Sequence, residues 1–235
     1  MAMNEAQIRQ ALIARLRRQP QGASASLISE LCIDRFERRV DLVQVGARLA
    51  AFEIKSDRDR LTRLPGQLDS YCRFFERVTV VCALRHLTAV QAQTPAAVGL
   101  WTVDAERGVK VVRPSRLLRG QRLEDWLSFL PVSELRRLLR SHDRSAHGTR
   151  EALLVQAMTL PKAVVRAQVL NSLRGREDRL APRRAQQSAL TDVPLQGIVP
   201  PTPEARLQAF LSRVSVLPER ALVRQVPQLY SSSSV

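Results

Sequence analysis

Asp41, Glu53 and Lys55 are the residues of this chain whose types and spacing suit a chemical reaction. Glu53-Ile54-Lys55 closes one apolar run, and Asp41 stands 12 residues earlier in another, with Gly46 between the runs. The pattern reads as a hairpin of two strands. Strand side chains alternate faces, so Glu53 and Lys55 point one way and Ile54 points into the core. An acid on the neighbouring strand can face them. Two carboxylates and an ammonium at one sheet end are costly unless a divalent cation sits between the acids. Such oxygen ligands suit Mg²⁺ or Mn²⁺, held by Asp41 and Glu53, with the Ile54 carbonyl as a further ligand. The chemistry that follows is metal-assisted phosphodiester cleavage, in which Lys55 orients water or offsets charge on the phosphate.

Gln67 follows Lys55 by 12 residues, and Tyr71 follows Gln67 by four. On a helix they share a face. An amide and a phenol aimed at the sheet end can bind a phosphate or position a scissile strand. The other reading makes Tyr71 core and Gln67 surface. Arg58, Arg60 and Arg63 lie between the two motifs and can contact phosphates, or can simply line a solvated turn with Asp57 and Asp59.

Asp41, Glu53-Ile54-Lys55 and Gln67-x-x-x-Tyr71 resemble the PD-(D/E)xK nuclease superfamily, in the branch with a Gln-x-x-x-Tyr helix. The run from Glu53 to Gln67 is similar to a small family of uncharacterised bacterial proteins within it. The resemblance covers roughly residues 25–115 and implies a restriction-endonuclease-like fold. It implies metal binding by Asp41 and Glu53, catalysis by Lys55, and support from Gln67 and Tyr71. The superfamily often adds an acid from its first core helix, and Glu30 is the residue expected to supply it. The proline that names the motif is replaced by Val40.

These residues must be placed by an α/β domain. Ile8, Leu12, Ile13 and Leu16 predict a helix over 4–18, ended by Pro20 and Gly22. A second short helix is expected over 26–31, carrying Glu30. Strands follow at 39–45 and 48–55, then a helix over 64–75 with Pro65 in its first turn. The continuous apolar run 78–84 reads as a strand buried on both faces. A helix over 86–92 and strands at 98–103 and 109–113 complete a mixed sheet flanked by helices, over residues 1–115. Trp101 and Trp126 read as core.

The pattern becomes all-helical over 116–175. Ser133–Arg140, a turn, and Gly148–Leu154 resemble the helix–turn–helix of SAP-like DNA-binding modules. Thr149 caps the second helix, and Arg150 stands where a phosphate can dock. An ordinary helical hairpin is the alternative. Residues 176–235 are proline-rich, with one convincing helix over 204–214 and a Ser231–Val235 end. They read as a tail able to dock on a protein partner.

Composition narrows the partners. The 235 residues carry a net charge of +15, which suits a polyanion, with nucleic acid, and DNA first, as the default. Coding bias is the competing explanation, since only Lys55, Lys110 and Lys162 are lysines. A compact ammonium at position 55 is therefore notable. The three cysteines lack CxxC spacing and the three histidines form no metal motif. No apolar run is long enough for a membrane span, so a cytoplasmic protein is expected. The leading function is a Mg²⁺-dependent nuclease acting on DNA. A non-catalytic DNA-binding protein and a partner-regulated subunit on the same fold are the alternatives. Cutting both strands with one site per chain would favour a homodimer.

Overall fold

The computed structural model describes residues 3–19 and 24–191. The chain begins with α1 (Glu5–Arg17), β1 (Ser26–Ile33), β2 (Arg38–Val45) and β3 (Leu49–Lys55). It continues with α2 (Leu64–Phe74), β4 (Arg77–Ala83), α3 (Leu87–Gln93), β5 (Gly99–Asp104) and β6 (Gly108–Arg113). Four helices follow: α4 (Leu123–Ser128), α5 (Val132–Arg140), α6 (Arg150–Ala157) and α7 (Lys162–Thr191).

The six strands form one mixed sheet in sequence order. β1, β2 and β3 are antiparallel neighbours, β3, β4 and β5 are parallel, and β6 returns antiparallel. The parallel pairs need crossover connections, supplied by α2 and α3. β3 is buried along its whole length, as expected for a strand covered on both faces. On one face Leu64, Leu68, Tyr71 and Phe74 of α2 pack over Val43, Val45, Leu49, Ala51 and Val80. On the other, Ile8, Leu12 and Leu16 of α1 pack over Leu42, Phe52, Ile54, Val81 and Trp101.

The second expected helix is a strand. Ser26–Ile33 pairs with β2, from Ser26 opposite Val45 to Ile33 opposite Arg38. Its apolar residues fall at 27, 28, 31 and 33, which imitates helical spacing. The cause is Glu30, whose φ of +59° places a non-glycine residue in the left-handed region. The alternation slips there: Leu27 joins the core under α1, whereas Ile28, Leu31 and Ile33 join the core under α2.

The helices from α4 onward share the α2-side core, which runs without interruption from Ile28 to Leu173. Trp126 is buried and donates its indole N–H to the Phe74 carbonyl at 2.9 Å. Trp101 is also buried, edge-on to Phe52. Contacts group Met1–Gln186 into one unit and Gln187–Val235 into another, of which only the end of α7 is described. α7 runs to Thr191, past residue 175, the expected end of the all-helical stretch. The expected helix over 204–214 and the docking role of the tail lie outside the described residues. Among the described residues, no helix is long and apolar enough to cross a membrane.

Candidate active site

The β2–β3 ladder ends at Leu42 opposite Phe52. One residue further along, the Asp41 carboxylate takes the place of a main-chain acceptor: its Oδ2 accepts the Ile54 N–H at 2.7 Å. This contact fixes Asp41 beside the Glu53-Ile54-Lys55 triplet. Ile54 packs in the α1-side core, as the strand alternation requires.

Glu53 and Lys55 share the opposite face. Lys55 Nζ donates to Glu53 Oε1 at 2.7 Å and to Gln67 Oε1 at 3.0 Å. The Tyr71 hydroxyl lies 2.7 Å from Glu53 Oε2 and 3.0 Å from the Arg39 carbonyl oxygen. Gln67 and Tyr71 therefore work as a pair, through the one-turn spacing of α2. The amide holds the ammonium and the phenol holds the carboxylate. Tyr71 is fully buried, so its hydroxyl positions Glu53 from behind. Burial and the Glu53 carboxylate both push the phenol above its ordinary pKa, which keeps it a neutral donor.

Asp41 carries the electrostatic signature of the site. Burial, and after it the charge of Glu53, raise its pKa to about 7. Glu5 adds to the shift, while the Ile54 hydrogen bond and Lys55 oppose it.

Asp41 also belongs to a second carboxylate group, with Glu5 and Glu30. One oxygen from each lies within 4.8 Å of the others. Glu30 reaches it from β1, where the register on either side sets it opposite Asp41. Glu5 reaches it from the first turn of α1. That helix start is fixed by a capping box, in which Asn4 Oδ1 accepts the Gln7 N–H and Gln7 Oε1 accepts the Asn4 N–H, each at 2.9 Å. Glu5 is the acid that sequence reading missed. The capping pattern Asn4-x-x-Gln7 was its visible signal, and the first core helix is α1. Glu30 stands beside Asp41, on a strand and not on the expected helix.

Not every acid oxygen is idle. Arg9 forms ion pairs with Glu5 and Glu30, and Arg39 Nε lies 2.5 Å from Glu30 Oε2. The converging oxygens of Glu5, Glu30 and Asp41 are of the ligand type that a hard divalent cation such as Mg²⁺ takes. Glu5, Glu30 and Asp41 are the residues that would hold it, while the two Glu53 oxygens engage Lys55 and Tyr71.

The loop after β3 is tied down at its start. Asp59 Oδ2 accepts from the Ser56 N–H at 2.7 Å, Asp57 Oδ2 accepts from the Met3 N–H at 3.1 Å, and His86 Nε2 lies 3.0 Å from the Ser56 carbonyl. Arg58, Arg60 and Arg63 are exposed on this loop. Thr149 caps α6, accepting the Ala152 N–H at 3.3 Å. Arg150 donates to the Leu130 carbonyl at 2.7 Å and to the Ser128 carbonyl at 3.4 Å, bracing α6 against the end of α4.

Residues 1–194 match the family described as bacteriophage P4 protein cII. The chain belongs to this family. The match runs from α1 into the residues beyond α7, so it includes both the sheet and the helices packed on it. Protein cII of Enterobacteria phage P4 is 31% identical over 179 residues, which is 74% of this chain and 68% of the phage protein. A solved structure, a protein of unknown function from Silicibacter pomeroyi, aligns with a TM-score of 0.41 and 19% identity. That alignment covers 64% of this chain and 99% of the other.

Proposed function

We propose that this protein is a metal-dependent nuclease that hydrolyses DNA phosphodiester bonds, on a restriction-endonuclease-like sheet with a SAP-like helical module. The observation that carries the reading is the placement of Asp41, held by the Ile54 N–H beside the Glu53–Lys55 pair and grouped with the Glu5 and Glu30 carboxylates. A Mg²⁺ or Mn²⁺ ion held there supplies charge compensation on the phosphate and makes water a stronger acid at neutral pH.

The protein's own groups do the rest. Glu53 and Gln67 fix Lys55 Nζ at one point, so its charge is preorganised where negative charge develops on the phosphate. Lys55 also orients the attacking water. Hydrolysis joins the water oxygen to phosphorus, breaks the phosphorus–oxygen ester bond, and passes a water proton to the departing sugar oxygen. Tyr71 keeps Glu53 in register throughout. Arg58, Arg60, Arg63 and Arg150 are the groups we assign to the DNA backbone, in line with the net charge of +15. A cytoplasmic location goes with this reading.

The non-catalytic alternative draws on one observation. Glu53 is engaged on both oxygens by Lys55 and Tyr71, and Glu30 by Arg9 and Arg39, so these acids have internal partners. Incubating supercoiled plasmid and branched DNA with the protein in Mg²⁺, Mn²⁺ or EDTA separates the readings. Cleavage that needs the metal and falls at least about 100-fold in Lys55→Ala is expected, the size typical of losing one preorganised charge. DNA binding without cleavage, or equal cleavage by both proteins, rejects the nuclease.

A further inference from the structure

Two arginines meet at Glu30, and their surroundings differ. Arg9, on α1, is largely covered and bridges Glu5 and Glu30. Arg39, on β2, leaves 67% of its side chain exposed while its guanidinium pairs with Glu30. An ion pair this exposed contributes little to stability. Yet the backbone of Arg39 is held firmly. Its carbonyl oxygen lies 3.0 Å from the Tyr71 hydroxyl, the same group that stands 2.7 Å from Glu53 Oε2. Arg39 also lies two residues before Asp41 on the same strand. Its main chain is thus tied through Tyr71 to Glu53, while most of its side chain is open to solvent beside Glu30.

We infer that Arg39 binds a phosphate of the nucleic-acid substrate beside the bond that is cut. The inference rests on the nuclease reading for the place of that bond. On binding, the Arg39 guanidinium exchanges the Glu30 carboxylate for phosphate oxygens, which match its planar fork and can accept two hydrogen bonds. Glu30 is not stranded by the exchange, because Arg9 remains paired with it. This division explains why one acid takes two arginines. The covered one is a fixed counter-charge, and the exposed one is exchangeable. Arg39 differs from the arginines of the 58–63 loop in having a main-chain anchor to the site itself.

The test is binding of a fluorescent DNA duplex in EDTA, by anisotropy, over a series of salt concentrations. The full-length wild type, Arg39→Ala, Arg39→Lys and Arg107→Ala are compared. Arg107 is exposed at the β5–β6 turn and controls for the loss of one charge. Arg39→Ala is expected to weaken binding about 10-fold and to lower the salt slope by about 1, as for one lost phosphate contact. Arg39→Lys should recover the slope but only part of the affinity. In Mg²⁺, Arg39→Ala should raise KM more than it lowers kcat. If Arg39→Ala and Arg107→Ala share the same affinity and slope, the assignment is overturned, even where the wild type cleaves DNA. If the wild type binds with an Arg39-dependent slope but never cleaves, the phosphate contact stands and the nuclease reading fails.

Discussion

Asp41 concentrates the electrostatic cost of the site. Its ordinary pKa of 3.8 rises to about 7 in the fold, from burial first and the Glu53 charge second. The consequence for stability has a definite sign. Between about pH 4 and 7 the unfolded chain loses the Asp41 proton while the folded chain keeps it, so the metal-free protein becomes less stable as pH rises. Asp41→Asn removes that slope and, at pH 8, should stabilise the metal-free protein by about 1–3 kcal/mol, at roughly 1.4 kcal/mol per pKa unit. The same change should abolish cleavage, and urea titrations at pH 5 and pH 8 measure the stability term. The proximity of Asp41, Glu53, Lys55, Gln67 and Tyr71 was legible in the sequence from strand and helix periodicity taken with the motif resemblance. The division of labour was not. That Gln67 holds Lys55 and Tyr71 holds Glu53 depends on the depth at which α2 packs, which no local pattern encodes.

At the scale of elements, the informative difference is β1. Leu27, Ile28 and Leu31 resemble a helical face because Glu30 turns left-handed and resets the alternation. A periodicity cannot register a conformation that most residues avoid. Glu30 stands opposite Asp41 at that turn, so the misleading pattern and the acidic group fall at the same place on β1. Placing the first core helix at 26–31 also hid Glu5, which belongs to α1. Elsewhere, Glu76 secures the elements behind the site. Its buried carboxylate accepts from the Leu49 N–H at 2.9 Å, Arg48 at 3.0 Å and Arg166 at 2.9 Å, joining the start of β3 to α7. Burial alone would raise the Glu76 pKa, but the Arg166, Leu49 and Arg48 hydrogen bonds outweigh it and the pKa falls below 4.5. This contribution is complete above the ordinary glutamate range and is lost as pH falls through it, opposite in sign to Asp41. Glu76→Gln should cost about 3 kcal/mol at neutral pH, because Arg166 loses its charged partner. Thermal melts at pH 4 and pH 7 should show the difference between wild type and variant shrinking in acid.

For the whole molecule, the mixed sheet with a helix layer on each face followed from the order of the apolar runs, since parallel strands require the crossovers that α2 and α3 supply. The shared core of sheet and C-terminal helices did not, because composition shifts near residue 115 while packing continues to Leu173. Protein cII of Enterobacteria phage P4 aligns over a stretch long enough to require both parts. The family match runs over both as well. The nuclease reading turns on whether a cation is held at Asp41. Anomalous diffraction from crystals of the full chain soaked in Mn²⁺ measures this directly. The expected result is a peak within about 2.5 Å of an Asp41 carboxylate oxygen, absent from Asp41→Asn crystals. A fully soaked crystal with no peak at Asp41, or a peak that persists in Asp41→Asn, would contradict it.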